Sequence, residues 1–212
     1  GRIVGHRAGL VARDQAGHPV AFADAYVRAV SAEAVVRFDR LVRTMHALNF
    51  LVQRRWSGGW LELAVHSRHL HAVAEGHGLV FEAVLKRCGL GPEDIILAID
   101  GRHAGYLPHL GEALDNYRRR GYRLALENLD PAADADLPGR LRPELVHLLP
   151  DDGGGALFAA CKAAGDAVVG YGIDDARDLA RARSHGVTLG TGEHFGAAQR
   201  DCLPTHGVRR VA

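Results

Sequence analysis

The strongest constraint on this chain is a rhythm in which short apolar runs of strand type alternate with helical stretches. The runs Leu61–Val65, Ile95–Ile99, Tyr122–Leu126, Leu145–Leu149, Ala167–Tyr171 and Val187–Gly190 are nearly all apolar, as strands buried on both faces must be. Between them, helical periodicity predicts Ala34–Gln53, Leu79–Arg87, a helix carrying Leu107, Leu110, Leu114 and Tyr117, then Ala156–Ala164 and Asp175–His185. Gly89, Gly121, Gly165 and Gly186 stand where helices stop, and Ser31 is placed to cap the first. In Ala34–Gln53 the residues Val35, Phe38, Leu41, Val42, Met45 and Leu48 read as the core stripe. Ala47 and Phe50 extend beyond it and read either as a second, sticky face or as residues packed beneath a neighbouring helix or an N-terminal strand. Strand, helix, glycine, strand is the signature of a parallel α/β architecture. Periodicity alone leaves open whether the sheet closes into a barrel or stays open and doubly wound.

Composition excludes several function classes. With 212 residues and 47% hydrophobic side chains the chain supports a substantial core and reads as one domain over residues 1–212. A net charge of +1 gives no field of one sign for a nucleic-acid polymer or an anionic membrane. The run Arg118-Arg119-Arg120 reads as basic residues closing a helix, where they complement its dipole. Three dispersed cysteines, Cys88, Cys161 and Cys202, argue against a disulfide framework and for a reducing cytoplasm. No stretch approaches the ~20 apolar residues of a membrane span, and charges interrupt each apolar run of residues 1–30, against a signal peptide. The glycine fingerprints of dinucleotide and P-loop folds are absent, and Gly153-Gly154-Gly155 reads as a flexible loop. His66, His69 and His71 read as solvent-facing polar residues, and Trp56 and Trp60 as core or rim aromatics.

Seven segments, VGHRAGL (4–10), LAVHSRHL (63–70), GLGP (89–92) with IILAID (95–100), GYRLALENL (121–129), RPELVHL (142–148), VVGYGID (168–174) and GVTLGTGEHFG (186–196), stand in an order that resembles the EAL family of bacterial cyclic-di-GMP phosphodiesterases. VGHRAGL (4–10) stands where that family has Glu-Ala-Leu, and LAVHSRHL (63–70) resembles its V-N-V-x-P-R-x-L. GLGP (89–92) followed by IILAID (95–100) resembles G-L-x-P…L-E-I-T-E, and GYRLALENL (121–129) resembles G-x-x-I-A-L-D-D-F. RPELVHL (142–148), VVGYGID (168–174) and GVTLGTGEHFG (186–196) resemble R-P-D-Y-I-K-I, V-I-A-E-G-V-E and G-V-x-L-x-Q-G-x-x-F-G. The resemblance runs from Val4 to about Gly196 and implies a TIM-like βα-barrel. It also makes the chain short at its N-terminal strand and part of a longer protein.

The family's chemistry requires divalent metal ions held by oxygen ligands, and the resemblance places other residues at those positions. Arg7 stands for the name-giving Glu, Ala64 for the Asn ligand and Leu97 for the strand Glu, while Asp100 corresponds to the second acid. Glu127-Asn128 stands for the paired Asp-Asp, His147 for the Lys, Tyr171 for the late Glu and Thr191 for the Gln. One carboxylate cannot hold two hard cations. The expectation is therefore a vestigial pocket with no catalytic residues, no metal and no cofactor. Such a pseudoenzyme would be a regulatory domain acting through a protein partner or self-association, with weak cyclic di-GMP binding possible. The resemblance also admits a receptor that binds cyclic di-GMP without cutting it, although Val11 stands near the family's phosphate-binding Arg, for which Arg13 is the nearest substitute. It further admits a residual phosphodiesterase. Glu127 with His147, as base and orienter in an unrelated barrel enzyme, is the remaining reading from the residues themselves.

Overall fold

The computed structural model describes residues 2–54, 57–73, 75–107, 109–131, 134–150, 155–164 and 167–202. Trp56, Gly153, Gly154 and Gly165 lie outside them. The chain divides into two compact units, one of residues 1–97, 107–122 and 201–212, the other of residues 98–106 and 123–200. In chain order the elements are β1 (Gly5–Arg7), β2 (Ala12–Arg13), β3 (Pro19–Val20), α1 (Phe22–Val27), α2 (Ala32–Gln53), β4 (Trp60–Val65), α3 (Ser67–Ala72) and α4 (Leu79–Arg87). There follow β5 (Ile95–Asp100), α5 (Leu110–Arg119), β6 (Arg123–Glu127), α6 (Leu137–Leu141), β7 (Leu145–Leu148), α7 (Gly155–Ala164), β8 (Ala167–Gly170), α8 (Ala176–Ser184) and β9 (Leu189–Gly190).

Seven strands form a sheet in the order β1-β4-β5-β6-β7-β8-β9. The β1–β4, β6–β7, β7–β8 and β8–β9 pairs are parallel. Neighbours in the sheet follow one another in sequence, apart from the small antiparallel β2–β3 hairpin that intervenes after β1. A doubly wound sheet reverses direction at a switch point and this one does not, so the winding is of the barrel type. Each expected strand exists within a residue or two, except that Val187 belongs to the core packing instead of β9.

In the first unit, the hydroxyl of Ser31 accepts the Ala34 N–H at 3.1 Å and starts α2. Gly59, at φ +84°, leads into β4 where any Cβ would strike the Val4 carbonyl, so only glycine lets β1 and β4 pair there. The inward face of α2 differs from the expected one. Val35 and Val42 are buried, but Ala47 and Phe50 are buried with them, whereas Leu41, Met45 and Leu48 are exposed. The cause is a pair of charges on the core side: Asp39 and Arg43 are 0% and 1% exposed, and a hydrophobicity pattern excludes both from a core stripe.

Asp39 makes that burial tolerable by filling its acceptor sites. Oδ1 accepts from the Tyr26 hydroxyl at 3.0 Å and from the His66 N–H at 3.1 Å. Oδ2 accepts from Arg43 Nε at 2.8 Å and pairs with Arg43 Nη2. Arg43 Nη2 also lies 3.3 Å from His69 Nε2, and its guanidinium carbon stands 4.7 Å from the Phe81 ring centroid. His69 is itself buried, which corrects the expectation that it faces solvent. Burial pushes Asp39 up, yet the charge and hydrogen bond of Arg43 and the His66 N–H outweigh it and hold the carboxyl below its usual range. Burial drives His69 down to about 3 despite the pull of Asp39, so it is neutral.

The second unit has an ordinary apolar core. Val146, Leu148, Val168 and Ile173 pack with Leu157, Phe158 and Cys161 of α7 and Ala182 of α8. Asp175 caps α8 by accepting the Arg177 and Asp178 N–H groups at 2.7 and 2.8 Å. In the first unit, the arginine run closes α5 as expected: Arg118 pairs with Asp115, and Arg120 reaches Glu82 at 2.9 Å.

His69 gives a test of this packing. Its proton affinity is far below its ordinary value of 6.5, so acid protonates the unfolded chain first. Its contribution is complete above pH 6.5 and is lost as pH falls toward 3, at up to about 1.4 kcal/mol per pH unit. His6, His46 and His77 are lowered by burial in the same direction. The melting temperature should therefore fall between pH 7 and pH 4, and His69→Gln should flatten that slope in thermal melts.

Candidate functional site

In the first unit, Arg7 ends β1 in register with Glu62 of β4. Its Nη1 donates to Glu62 Oε1 at 3.1 Å. The Glu62 side chain is 4% exposed, and that of Arg7 is 28% exposed. Glu62 was not singled out in the sequence, although a lone acid inside the apolar run LELAV is a visible signal. Ala64 lies two residues further along β4, half-buried. Leu97 is the third residue of β5 and is wholly buried, a hydrocarbon with no ligand atom to offer.

In the second unit, β6 ends at buried Glu127, and Asn128 follows in the left-handed region at φ +55°. Asn128 Nδ2 donates to Asp100 Oδ2 at 3.1 Å. Asp100 also accepts from Arg102: the backbone N–H at 3.0 Å and Nε at 3.1 Å on Oδ1, and Nη2 at 2.6 Å on Oδ2. Burial alone would raise the Asp100 carboxyl, but the Arg102 hydrogen bonds and charge hold it below its usual value. Arg102 is a second partner that motif matching did not reveal, because it lies just past the matched segment.

Glu127, Asn128, His147 and Tyr171 line one cavity of about 130 Å³ together with Leu129, Leu148 and Leu157. The His147 ring meets Tyr171 edge-on, with centroids 6.1 Å apart. Thr191 contributes backbone: its N–H donates to the Gly170 carbonyl at 2.9 Å and its carbonyl accepts from Ile173 at 3.0 Å. The adjoining Gly192, at φ +153°, lies so close to the Ile173 backbone that a Cβ would collide. The glycine matched to the family's Q-G is thus required by the fold whatever the site does. Four of the eight expected positions share the cavity, Thr191 serves the backbone beside β8, and Arg7, Ala64 and Leu97 belong to the first unit. Among the described residues, no group of three or more His, Cys, Asp or Glu side chains is placed to hold a metal ion. Also among them, no helix is long and apolar enough to cross a membrane.

No family model matches the sequence, and no curated protein matches it. Solved structures do match. The EAL enzyme Bd1971, bound to cAMP and cyclic di-GMP, superposes with a TM-score of 0.78 at 13% identity, over 92% of this chain and 58% of that one. Klebsiella pneumoniae BlrP1 in a manganese and cyclic-di-GMP complex gives 0.70 at 18% identity, over 85% and 48%. The FimX EAL domain from Pseudomonas aeruginosa, bound to cyclic di-GMP, gives 0.77 at 15% identity, over 92% and 84%. The chain thus spans about half to three-fifths of the first two proteins. At such identities the likeness establishes the fold: this is the TIM-like βα architecture of EAL domains.

The Arg7–Glu62 pair makes a direct prediction. Arg7→Met leaves the buried Glu62 carboxylate without its cation and should cost about 1–3 kcal/mol, the lower part of that range following from the partial exposure of Arg7. Arg7→Met with Glu62→Met removes both charges and should recover most of the loss. Urea unfolding of the two variants checks it.

Proposed function

We propose that this chain is a non-catalytic EAL-type domain of cyclic-di-GMP signalling, and that it works through protein contacts. The observation that carries the reading is the Arg7–Glu62 pair. Where the resemblance calls for a metal-binding carboxylate there is a guanidinium, and the acid beside it is already committed to that guanidinium. A divalent cation brought near Arg7 meets repulsion instead of a ligand. The rest of the donor set supports the same conclusion. Ala64 and Leu97 offer no oxygen beyond the backbone, and Asp100 is neutralised by Arg102 and held by Asn128. The residues present therefore do not fit a two-metal centre, and no hydrolytic step is derived through one.

Binding without hydrolysis is the second reading. It is favoured by one fact: the Bd1971, BlrP1 and FimX structures hold cyclic di-GMP. Against it, the second unit's cavity of about 130 Å³ is well below the ~300–1,000 Å³ that enclose a drug-sized ligand.

Incubation of the purified chain with cyclic di-GMP and either magnesium or manganese, followed by chromatography of the nucleotide, should show no linear product. Metal-dependent turnover that disappears in Glu127→Ala would overturn the reading. Restoring a single acid, as in Arg7→Glu, should not recover turnover, because groups that act as a unit are not rescued one at a time.

A further inference from the structure

The cavity of the second unit has a buried inner end and an open mouth. Among its lining residues Glu127, His147 and Leu157 are buried, whereas Asn128, Leu149 and Tyr171 are exposed. Its volume of about 130 Å³ is close to the ~150 Å³ of an apolar cavity that holds a benzene molecule, so it has room for about five or six non-hydrogen atoms. The described residues that line it include one carboxylate, Glu127, and neither a lysine nor an arginine. Arg102 is bonded to Asp100 through Nε and Nη2, at 3.1 and 2.6 Å, so that pair is neutral. Asn128 donates Nδ2 to the same Asp100 at 3.1 Å, which leaves Oδ1, an acceptor, as its remaining polar atom.

We infer that this cavity takes a primary ammonium group on a short hydrocarbon stem, as carried by a small alkylamine or by a lysine side chain. The sign of the lining selects a cation. A buried carboxylate gains most from a charged donor, and an anion of the same size meets repulsion there. The size of the cavity selects a compact head, and an ammonium is compact where a guanidinium is broad and planar. Glu127 and Asn128 Oδ1 are the acceptors for its hydrogens. The stem has hydrocarbon to lie against in Leu149 and Leu157, as the stem of a lysine does when its head is polar-bound. At the mouth the Tyr171 ring attracts a cation to its face. A hard metal ion is the poorer occupant, because it needs several oxygen ligands and the lining has one carboxylate. This deepens the non-catalytic reading above and rests on it, since a Glu127 engaged with a metal ion leaves no place for an ammonium. The two fail separately. A chain that is hydrolytically silent but binds no ammonium sinks only this inference, whereas turnover lost in Glu127→Ala sinks the reading beneath it.

The test is a titration of the whole chain, isotopically labelled, followed in amide and leucine-methyl NMR spectra. Four probes are compared: n-butylammonium, 1-butanol, butyrate and the peptide acetyl-Gly-Lys-Gly-amide. Butylammonium should give saturable shifts at Asn128 and Leu149, with a dissociation constant of about 1–10 mM for so small a ligand. Butanol and butyrate, of matching length, should bind at least about tenfold more weakly. The peptide separates the two sources. Binding as tight as butylammonium or tighter assigns the site to a partner's lysine, and butylammonium binding alone assigns it to a free amine. Glu127→Gln keeps the shape, removes the charge and should weaken the ammonium about tenfold or more. Circular dichroism shows whether that variant is folded. If it is not, Tyr171→Ala at the exposed mouth carries the test, with an expected loss of about two- to fivefold. Equal binding of butanol, no saturable shift from either ammonium probe, or affinity unchanged in the folded variant would each overturn the inference.

Discussion

The carboxylate of Asp39 is where the first unit is fastened. It joins four pieces of chain: Tyr26 of α1, Arg43 one turn along α2, the His66 N–H at the end of β4, and His69 of α3. A buried carboxylate is costly unless its acceptor sites are filled and its charge is met, and here both conditions hold. The consequence reaches the surface. Because Asp39 and Arg43 must point inward, α2 is fixed in one rotation about its axis. That rotation buries Ala47 and Phe50 and turns Leu41, Met45, Leu48 and Val52 outward. The position of the apolar stripe is thus dictated by an ion pair on the opposite side of the helix.

The same trade between charge and hydrocarbon governs the strand ends. A metal centre keeps several carboxylates close together because the cations cancel their repulsion. Without cations, such a cluster has to be dismantled or neutralised internally. Leu97 and Ala64 are apolar, while Glu62 and Asp100 each have an arginine, Arg7 and Arg102. The strands and helices are held by the second unit's apolar core, by the Gly59 and Gly192 backbone contacts and by the helix caps.

Much of the fold was legible in the sequence, since strands buried on both faces and helices with clear stops leave strong local signals. The α4 boundaries agree to the residue, and Ser31 caps α2 as its position implied. What misled was the assumption that core faces are apolar. Asp39 and Arg43, four residues apart, hid the true inward face of α2 and left Phe50 open between a sticky surface and a packed one; it is 1% exposed and packed. The same assumption put His69 in solvent. Motif alignment pointed to Arg7, Ala64, Leu97, Glu127, Asn128, His147, Tyr171 and Thr191, but it could not supply Glu62 or Arg102, because a partner need not lie within the matched segment. The short β1 and the β2–β3 hairpin carry too few residues for periodicity to register.

The account's central claim is that a barrel of EAL type persists here without the donors that would hold metal and dinucleotide. Calorimetric titration of cyclic di-GMP into the purified chain, with and without magnesium, addresses it most directly. The account predicts no saturable heat tighter than about 1 μM, equivalent to ~8 kcal/mol of binding, and no change on adding the metal. A sub-micromolar isotherm that appears only with magnesium would contradict it.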